Sequence, residues 1–267
     1  MKAVILCGGL GTRIRDVAQD VPKPMIAIGQ NPILWHIMRH YAGFGCQDFV
    51  LCLGYKASVV KEFFYNYVLN TRDLTVQLGT KPGVSFHSSD DAQIEDWRVT
   101  LADTGLYTMT GGRVGRIKRY VEDDEHFMMT YGDGLSDIDI GALMDFHKAH
   151  GKIATVTGVR PPGRFGELEI DAAGLVTGFN EKPQMSGGFI SGGFFVFSKR
   201  IFDYLSDAED LVLEQEPMRA LVADRQLAVF EHGGFWHPMD TYRDFKYLND
   251  LWDSGSAPWT VHGTVRG

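Results

Sequence analysis

Met1-Lys-Ala-Val-Ile-Leu-Cys-Gly-Gly-Leu-Gly-Thr-Arg13 opens the chain. Ala3 to Leu6 form a short apolar, partly β-branched run that leads straight into Gly8, Gly9 and Gly11, which predicts a buried strand feeding a glycine loop. Such a loop brings bare backbone N–H groups close to an anion. Thr12 adds a hydroxyl and Arg13 a planar fork of donors, both suited to phosphate oxygens. Further on, Pro22-Lys23-Pro24-Met25 holds one lysine between two prolines, an arrangement that limits the backbone and aims the ammonium back at the loop. A polyphosphate is the ligand class that fits. Two common glycine loops do not. The dinucleotide fingerprint counted from Gly9 places the bulky Ile14 at its third glycine, and the only Gly-Lys pair, Gly151-Lys152, is followed by Ile153 where a P-loop needs Ser or Thr.

With 267 residues, 44% of them hydrophobic and 22% charged, the chain can bury a sizeable core. A net charge of −8 argues against nucleic acid or an anionic membrane as partner, so a phosphate ligand has to be met by local cations and a metal. The odd set Cys7, Cys46 and Cys52 contains no C-x-x-C pair and suits a reduced cytoplasm better than a disulfide framework or a zinc site. The start lacks a signal-peptide pattern and no segment is apolar enough to span a bilayer, so a soluble, unexported protein is expected.

Outward from the loop, strand and helix patterns alternate. Ile33 to Phe44 reads as an amphipathic helix begun at Pro32, Asp48 to Gly54 as a buried strand, and Val59 to Val68 as a second helix. That alternation implies an α/β fold with a mixed, mainly parallel sheet flanked by helices, in which ligands collect at the carboxyl ends of the strands. Leu74–Leu78 and Val84–His87 are strand-like and fit either a hairpin or an oligomer contact. Thr110-Gly-Gly-Arg113 sits near a predicted helix start, where free N–H groups suit an anion; the other reading is a plain glycine start with a solvated Arg113. Phe127–Tyr131 is a strand that delivers Gly132-Asp133-Gly134, an acid well placed to hold Mg²⁺ against a triphosphate. A helix is expected from Asp137 to His150. The meander Glu167 to Phe179 carries Glu181-Lys182, a carboxylate for sugar hydroxyls beside an ammonium for a phosphate. Gly192 and Gly193 in the next strand mark either room for a hexose or a bulge. Helical stretches are expected at Ile201–Leu205 and Pro217–Asp224. Asp240 is a second well-placed acid, and His237 reads as structural.

The glycine stretch followed by Pro-Lys-Pro resembles the nucleotide-binding signature of the sugar-1-phosphate nucleotidylyltransferases. Tyr131-Gly-Asp-Gly, Pro161-Pro-Gly-Arg-Phe-Gly166, Glu181-Lys-Pro, Gly192-Gly-Phe-Phe-Val-Phe, Glu214-Gln-Glu-Pro and Phe235-Trp-His-Pro-Met-Asp-Thr241 narrow the resemblance to the glucose-1-phosphate cytidylyltransferase group, from Met1 to about Trp259. The resemblance implies a Rossmann-like nucleotide-diphospho-sugar transferase fold over 1–267, with a nucleotide-binding part at about 1–150 and a small β-rich sugar-binding and C-terminal part at about 151–255. It implies that CTP is bound by Leu6, Cys7, Gly8, Gly9, Leu10, Gly11, Thr12, Arg13 and Lys23, with Thr104, Arg113 and Gly132 around it. Glucose 1-phosphate falls to Gly166, Glu181, Lys182, Gly192 and Gly193, and Mg²⁺ to Asp133 and Asp240. Arg13, Lys23, Asp133 and Lys182 are the implied catalytic set, and a homo-oligomer is implied. A thymidylyl- or uridylyltransferase and a non-catalytic sugar-nucleotide sensor are the alternatives.

Overall fold

The computed structural model describes residues 1–10, 21–87, 95–160 and 188–260, and the backbone alone of 167–170 and 176–180. Strand β1 is Lys2–Leu6, followed by β2 (Asp48–Leu53), β3 (Arg98–Asp103), β4 (His126–Tyr131), β5 (Ala154–Val159), β6 (Ile190–Ser198) and β7 (Leu227–His232). They form one seven-stranded sheet in the order β7-β5-β6-β4-β1-β2-β3. Neighbours are parallel except where β6 runs against β4 and β5, which is the mixed, mainly parallel sheet expected from the alternation.

The apolar run in β1 is continuous because both of its faces are covered. Ala3 and Ile5 point into a core shared with Ile33, Leu34, Ile37, Met38 and Tyr41 of the helix Ile33–Gly43. Val4 and Leu6 point the other way, into a core with Val114, Ile117 and Val121. Strand order runs outward in both directions from β1, so its carboxyl end, and the glycine loop that follows, lie at a topological switch point.

Several boundaries differ from expectation for local reasons. The helix expected from Asp137 starts at Ile140 because the Asp139 carboxylate accepts the Ala142 N–H at 2.8 Å and caps it; Gly151, at φ 65°, ends it. Val59 to Val68 is two helices, Ala57–Tyr65 and Tyr67–Thr71, parted at Asn66 with ψ 6°. The stretch from Ile201 is a single 3₁₀ turn, Lys199–Asp203. Leu74–Gln77 and Gly83–Phe86 pair as an antiparallel hairpin with both faces exposed. Glu167–Ile170 pairs with Val176–Asn180 as the expected meander.

At the end of the sheet opposite the glycine loop, histidines cluster around Thr155. His147 is fully buried, with Nδ1 2.8 Å from Thr155 Oγ1 and Nε2 3.2 Å from His126 Nδ1; His150 Nε2 is 2.7 Å from the same hydroxyl. Burial, reinforced by His126, His150 and Lys148, pushes the His147 pKa down to about 4. The folded state therefore keeps His147 neutral over a range in which the unfolded chain takes up a proton, so stability falls as the pH drops from the ordinary histidine value toward 4. We expect a loss of about 2–3 kcal/mol between pH 7 and pH 4 from this group, read as a falling urea midpoint. His147→Gln should flatten that slope; a variant that falls as steeply as the parent would show that other groups set it.

Candidate active site

Four chain segments meet at the carboxyl ends of β1 to β4. Cys7 N–H donates to Cys52 O at 2.9 Å, Gly132 N–H to Leu6 O at 3.1 Å and Tyr55 N–H to Gly8 O at 3.3 Å. Gly132 is confined, since a Cβ there would lie 3.0 Å from Pro24 Cγ and 3.1 Å from Leu6 O. Between these segments opens a cleft of about 620 Å³, lined by Leu6–Leu10, Lys23 and Pro24, the Leu106–Thr110 loop after β3, Arg113, Tyr131–Asp133 and Asp240. Leu6, Cys7, Gly8, Gly9, Leu10, Lys23, Arg113, Gly132, Asp133 and Asp240 are thus brought together as expected. Gly11, Thr12, Arg13, Gly166, Glu181 and Lys182 lie outside the described residues.

The two acids are joined by a pairing the sequence did not reveal. Gly134–Ser136, just after Asp133, pairs antiparallel with Trp236–Pro238, and Met239 N–H donates to Asp133 O at 2.8 Å. This ribbon sets Asp240 beside Asp133, and Lys23 Nζ lies 2.6 Å from a carboxylate oxygen of each. The lysine is presented by the tight turn Lys23–Met25, closed by Met25 N–H to Pro22 O at 2.8 Å. Burial works against its charge, but Asp133 and Asp240 outweigh burial and hold the Lys23 pKa above the ordinary lysine value. Three-residue strands carry too little periodicity to be seen in sequence, so the sequence aims Lys23 at the glycine loop and says nothing of the two acids.

Asp240 is held in turn by Asp244, which sequence reasoning missed. The Asp244 carboxylate accepts the N–H groups of Asp240 at 3.1 Å and Thr241 at 2.8 Å and lies 3.0 Å from His237 Nε2. Burial opposes its charge, but Thr241 and His237 more than offset that and keep its pKa below the ordinary carboxylate value. Thr241 and Asp244 also form a capping box on the helix Tyr242–Asp253, a pattern legible as Thr-x-x-Asp. His237 faces Asp244 and does not line the cleft.

Thr104 departs from expectation, and Arg113 meets it only in part. Thr104 is buried beneath the loop and does not line the cleft; its hydroxyl donates to Leu53 O at 2.7 Å and accepts from Arg113 Nη1 at 2.7 Å. Arg113 borders the cleft, yet it is neither solvated nor free, because its guanidinium donates inward to main-chain carbonyls. Gly112 N–H, near that helix start, donates to Leu211 O at 3.1 Å. Gly192 and Gly193 make a bulge. Between the pairs Val156–Phe195 and Gly158–Ser191, residues 192 to 194 stand opposite Thr157 alone, and Gly193 has φ 78°. The room they leave is filled by Val159, 2.7 Å from a Cβ on Gly192, and by the Tyr131 ring against Gly193; neither glycine lines the cleft. On the cleft wall, Glu214 accepts from Tyr131 Oη and from Thr110 Oγ1, which places the Glu214-Gln-Glu-Pro block beside the site.

Cys7 is buried in the loop, and burial raises its thiol well above the ordinary value, so it stays protonated and is no nucleophile. Among the described residues no group of three or more His, Cys, Asp or Glu side chains could hold a metal. The pair Asp133 and Asp240, already sharing one cation in Lys23 Nζ, suits a hard ion that takes one or two carboxylates and completes its shell with phosphate oxygens and water.

Residues 2–245 match the Nucleotidyl transferase family. The chain is 52% identical over 259 residues to the glucose-1-phosphate cytidylyltransferase of Salmonella typhimurium, covering 97% of this chain and 98% of that one. It is 42% identical over 261 residues to a probable glucose-1-phosphate cytidylyltransferase of Bacillus subtilis, covering 98% and 100%. A solved putative glucose-1-phosphate thymidylyltransferase from Bacillus anthracis superposes with a TM-score of 0.64 at 19% identity, over 99% of this chain and 98% of that one, a likeness of fold. The chain belongs to the nucleotidyl transferase family, in its glucose-1-phosphate cytidylyltransferase branch.

Proposed function

We propose that this chain transfers CMP from CTP to α-D-glucose 1-phosphate, giving CDP-glucose and pyrophosphate. The observation that carries the reading is Lys23 bridging Asp133 and Asp240 beside the glycine loop, in a chain half identical to curated enzymes of that name. A phosphate oxygen of the sugar phosphate bonds to the α-phosphorus of CTP. The bond from that phosphorus to the α,β-bridging oxygen breaks, and its electron pair leaves with pyrophosphate.

The attacking phosphate is already an anion at neutral pH, so no general base is required. The obstacle is bringing two anions together in line, and the protein lowers it by positioning and by charge placed in advance. The backbone N–H groups of the glycine loop and the Lys23 ammonium meet the triphosphate; Arg13 and Lys182 are the further cations of this reading, with Glu181 on the sugar. Asp133 and Asp240 would hold Mg²⁺, which offsets charge on the triphosphate and the leaving pyrophosphate.

Homo-oligomer formation belongs to the same reading. The exposed hairpin shows Val76, Leu78, Val84 and Phe86 to solvent, Leu78 at 89% exposure, and an isolated two-stranded hairpin gains stability from a covering surface. A cytoplasmic location fits three buried, free cysteines; no helix among the described residues is long and apolar enough to cross a membrane.

Pyrophosphate release measured with CTP, UTP, dTTP and GTP against glucose 1-phosphate and other hexose 1-phosphates tests the proposal. CTP with glucose 1-phosphate should exceed every other pair by about 100-fold or more in kcat/KM. Preference for another base, or no release with any pair, contradicts it.

A further inference from the structure

We propose that Arg113 is a positioning residue that sets the width of the nucleotide cleft by tying the glycine loop to the wall facing it. The inference rests on the nucleotidyl-transfer reading and deepens it. The Arg113 side chain, 4% exposed, leaves the helix Thr110–Arg116 and runs beneath the loop. Its Nη2 donates to Gly8 O at 3.0 Å and Leu106 O at 3.3 Å. Its Nη1 donates to Leu53 O at 3.0 Å, Gly105 O at 2.9 Å and Thr104 Oγ1 at 2.7 Å. Gly8 belongs to the loop, Leu53 ends β2, and Gly105 and Leu106 belong to the wall after β3. One rigid, planar group therefore fixes three chain segments at once, a task for which a flexible ammonium is poorly shaped. All five acceptors are uncharged, so none of them cancels the positive charge held at the cleft floor.

The glycines fit this contact from the other side. A Cβ on Gly8 would fall within the guanidinium, and one on Gly54 would lie 2.6 Å from Nη1 and 2.8 Å from Gly105 O. Gly9 differs, with no atom of the described residues within 4 Å of a Cβ there. The adjacent glycines of the signature thus divide the work: Gly8 seats the guanidinium, and Gly9 faces the open cleft.

A cycle of variants tests this, with nucleotide binding read by titration calorimetry at 25 °C and thermal midpoints recorded alongside. The nucleotide is whichever of CTP, UTP, dTTP and GTP the parent protein binds best. Gly8→Ala alone should weaken binding by about 30- to 100-fold, because the new methyl displaces the guanidinium and with it the loop. In an Arg113→Lys background, where the slender ammonium leaves that space open, the same Gly8→Ala change should cost less than about 5-fold. Gly9→Ala should cost the same in both backgrounds. If Gly8→Ala fails to fold, Arg113→Lys alone is read: it should weaken binding by about 10-fold or more at a folded thermal midpoint, and parental binding overturns the inference. A purely structural role would move the midpoints but not the coupling in binding measured on folded protein. Equal losses from Gly8→Ala in both backgrounds overturn the inference while leaving the functional reading intact. A parent protein that binds none of the four nucleotides overturns both.

Discussion

Asp133→Asn and Asp240→Asn should each lower kcat by about two to four orders of magnitude. Each carboxylate lies 2.6 Å from Lys23 Nζ, and the ribbon Gly134–Ser136 with Trp236–Pro238 holds both in place, so the amide keeps shape and position while removing one negative charge. A site with one acid retains the lysine but attracts a divalent cation weakly. The Mg²⁺ concentration for half-maximal rate should therefore rise in both variants. A near-parental Mg²⁺ response in both variants would remove these two acids from the cation site.

Lys23→Met should cost about 1,000-fold in kcat/KM, because in the proposed reading the ammonium faces the triphosphate, and it also keeps two neighbouring acids at peace. Its side chain is mostly buried, whereas Asp133 and Asp240 keep about a third of their side chains exposed, 33% and 39%. Water screens part of the repulsion released, so the stability loss without divalent cation should be about 1–3 kcal/mol. Mg²⁺ should restore much of that loss in Lys23→Met while adding little to the parent. Urea denaturation with and without Mg²⁺ reads this directly; equal Mg²⁺ effects in the two proteins would show that the lysine and a metal do not share these carboxylates.

What was legible in the sequence, and what was not, follows the length and chemistry of each element. β1 was clear because Ala3 to Leu6 is apolar on both faces and ends in glycines, and the helix from Ile33 was clear because its apolar residues recur at helical spacing behind a proline. Asp133 could be placed since it follows a strand between two glycines. Asp240 could be named but not located, because its neighbour is reached through three-residue strands whose pairing is tertiary. Arg113 misled for a related reason. A Gly-Gly-Arg at a helix start has the local form of an anion site, and only the fold brings Leu53, Gly105 and Gly8 within reach of its fork. Gly192 and Gly193 offered two meanings, and the strand register shows the bulge.

In the proposed reading CTP lies with its triphosphate between the Gly8–Leu10 turn and the Lys23, Asp133 and Asp240 cluster. A crystal structure with CTP and Mg²⁺ tests it most directly. Phosphate oxygens are expected against the backbone N–H groups of the turn and the Lys23 ammonium, with the ion bound by both carboxylates. A triphosphate seated away from that turn, or an ion that touches neither Asp133 nor Asp240, would contradict it.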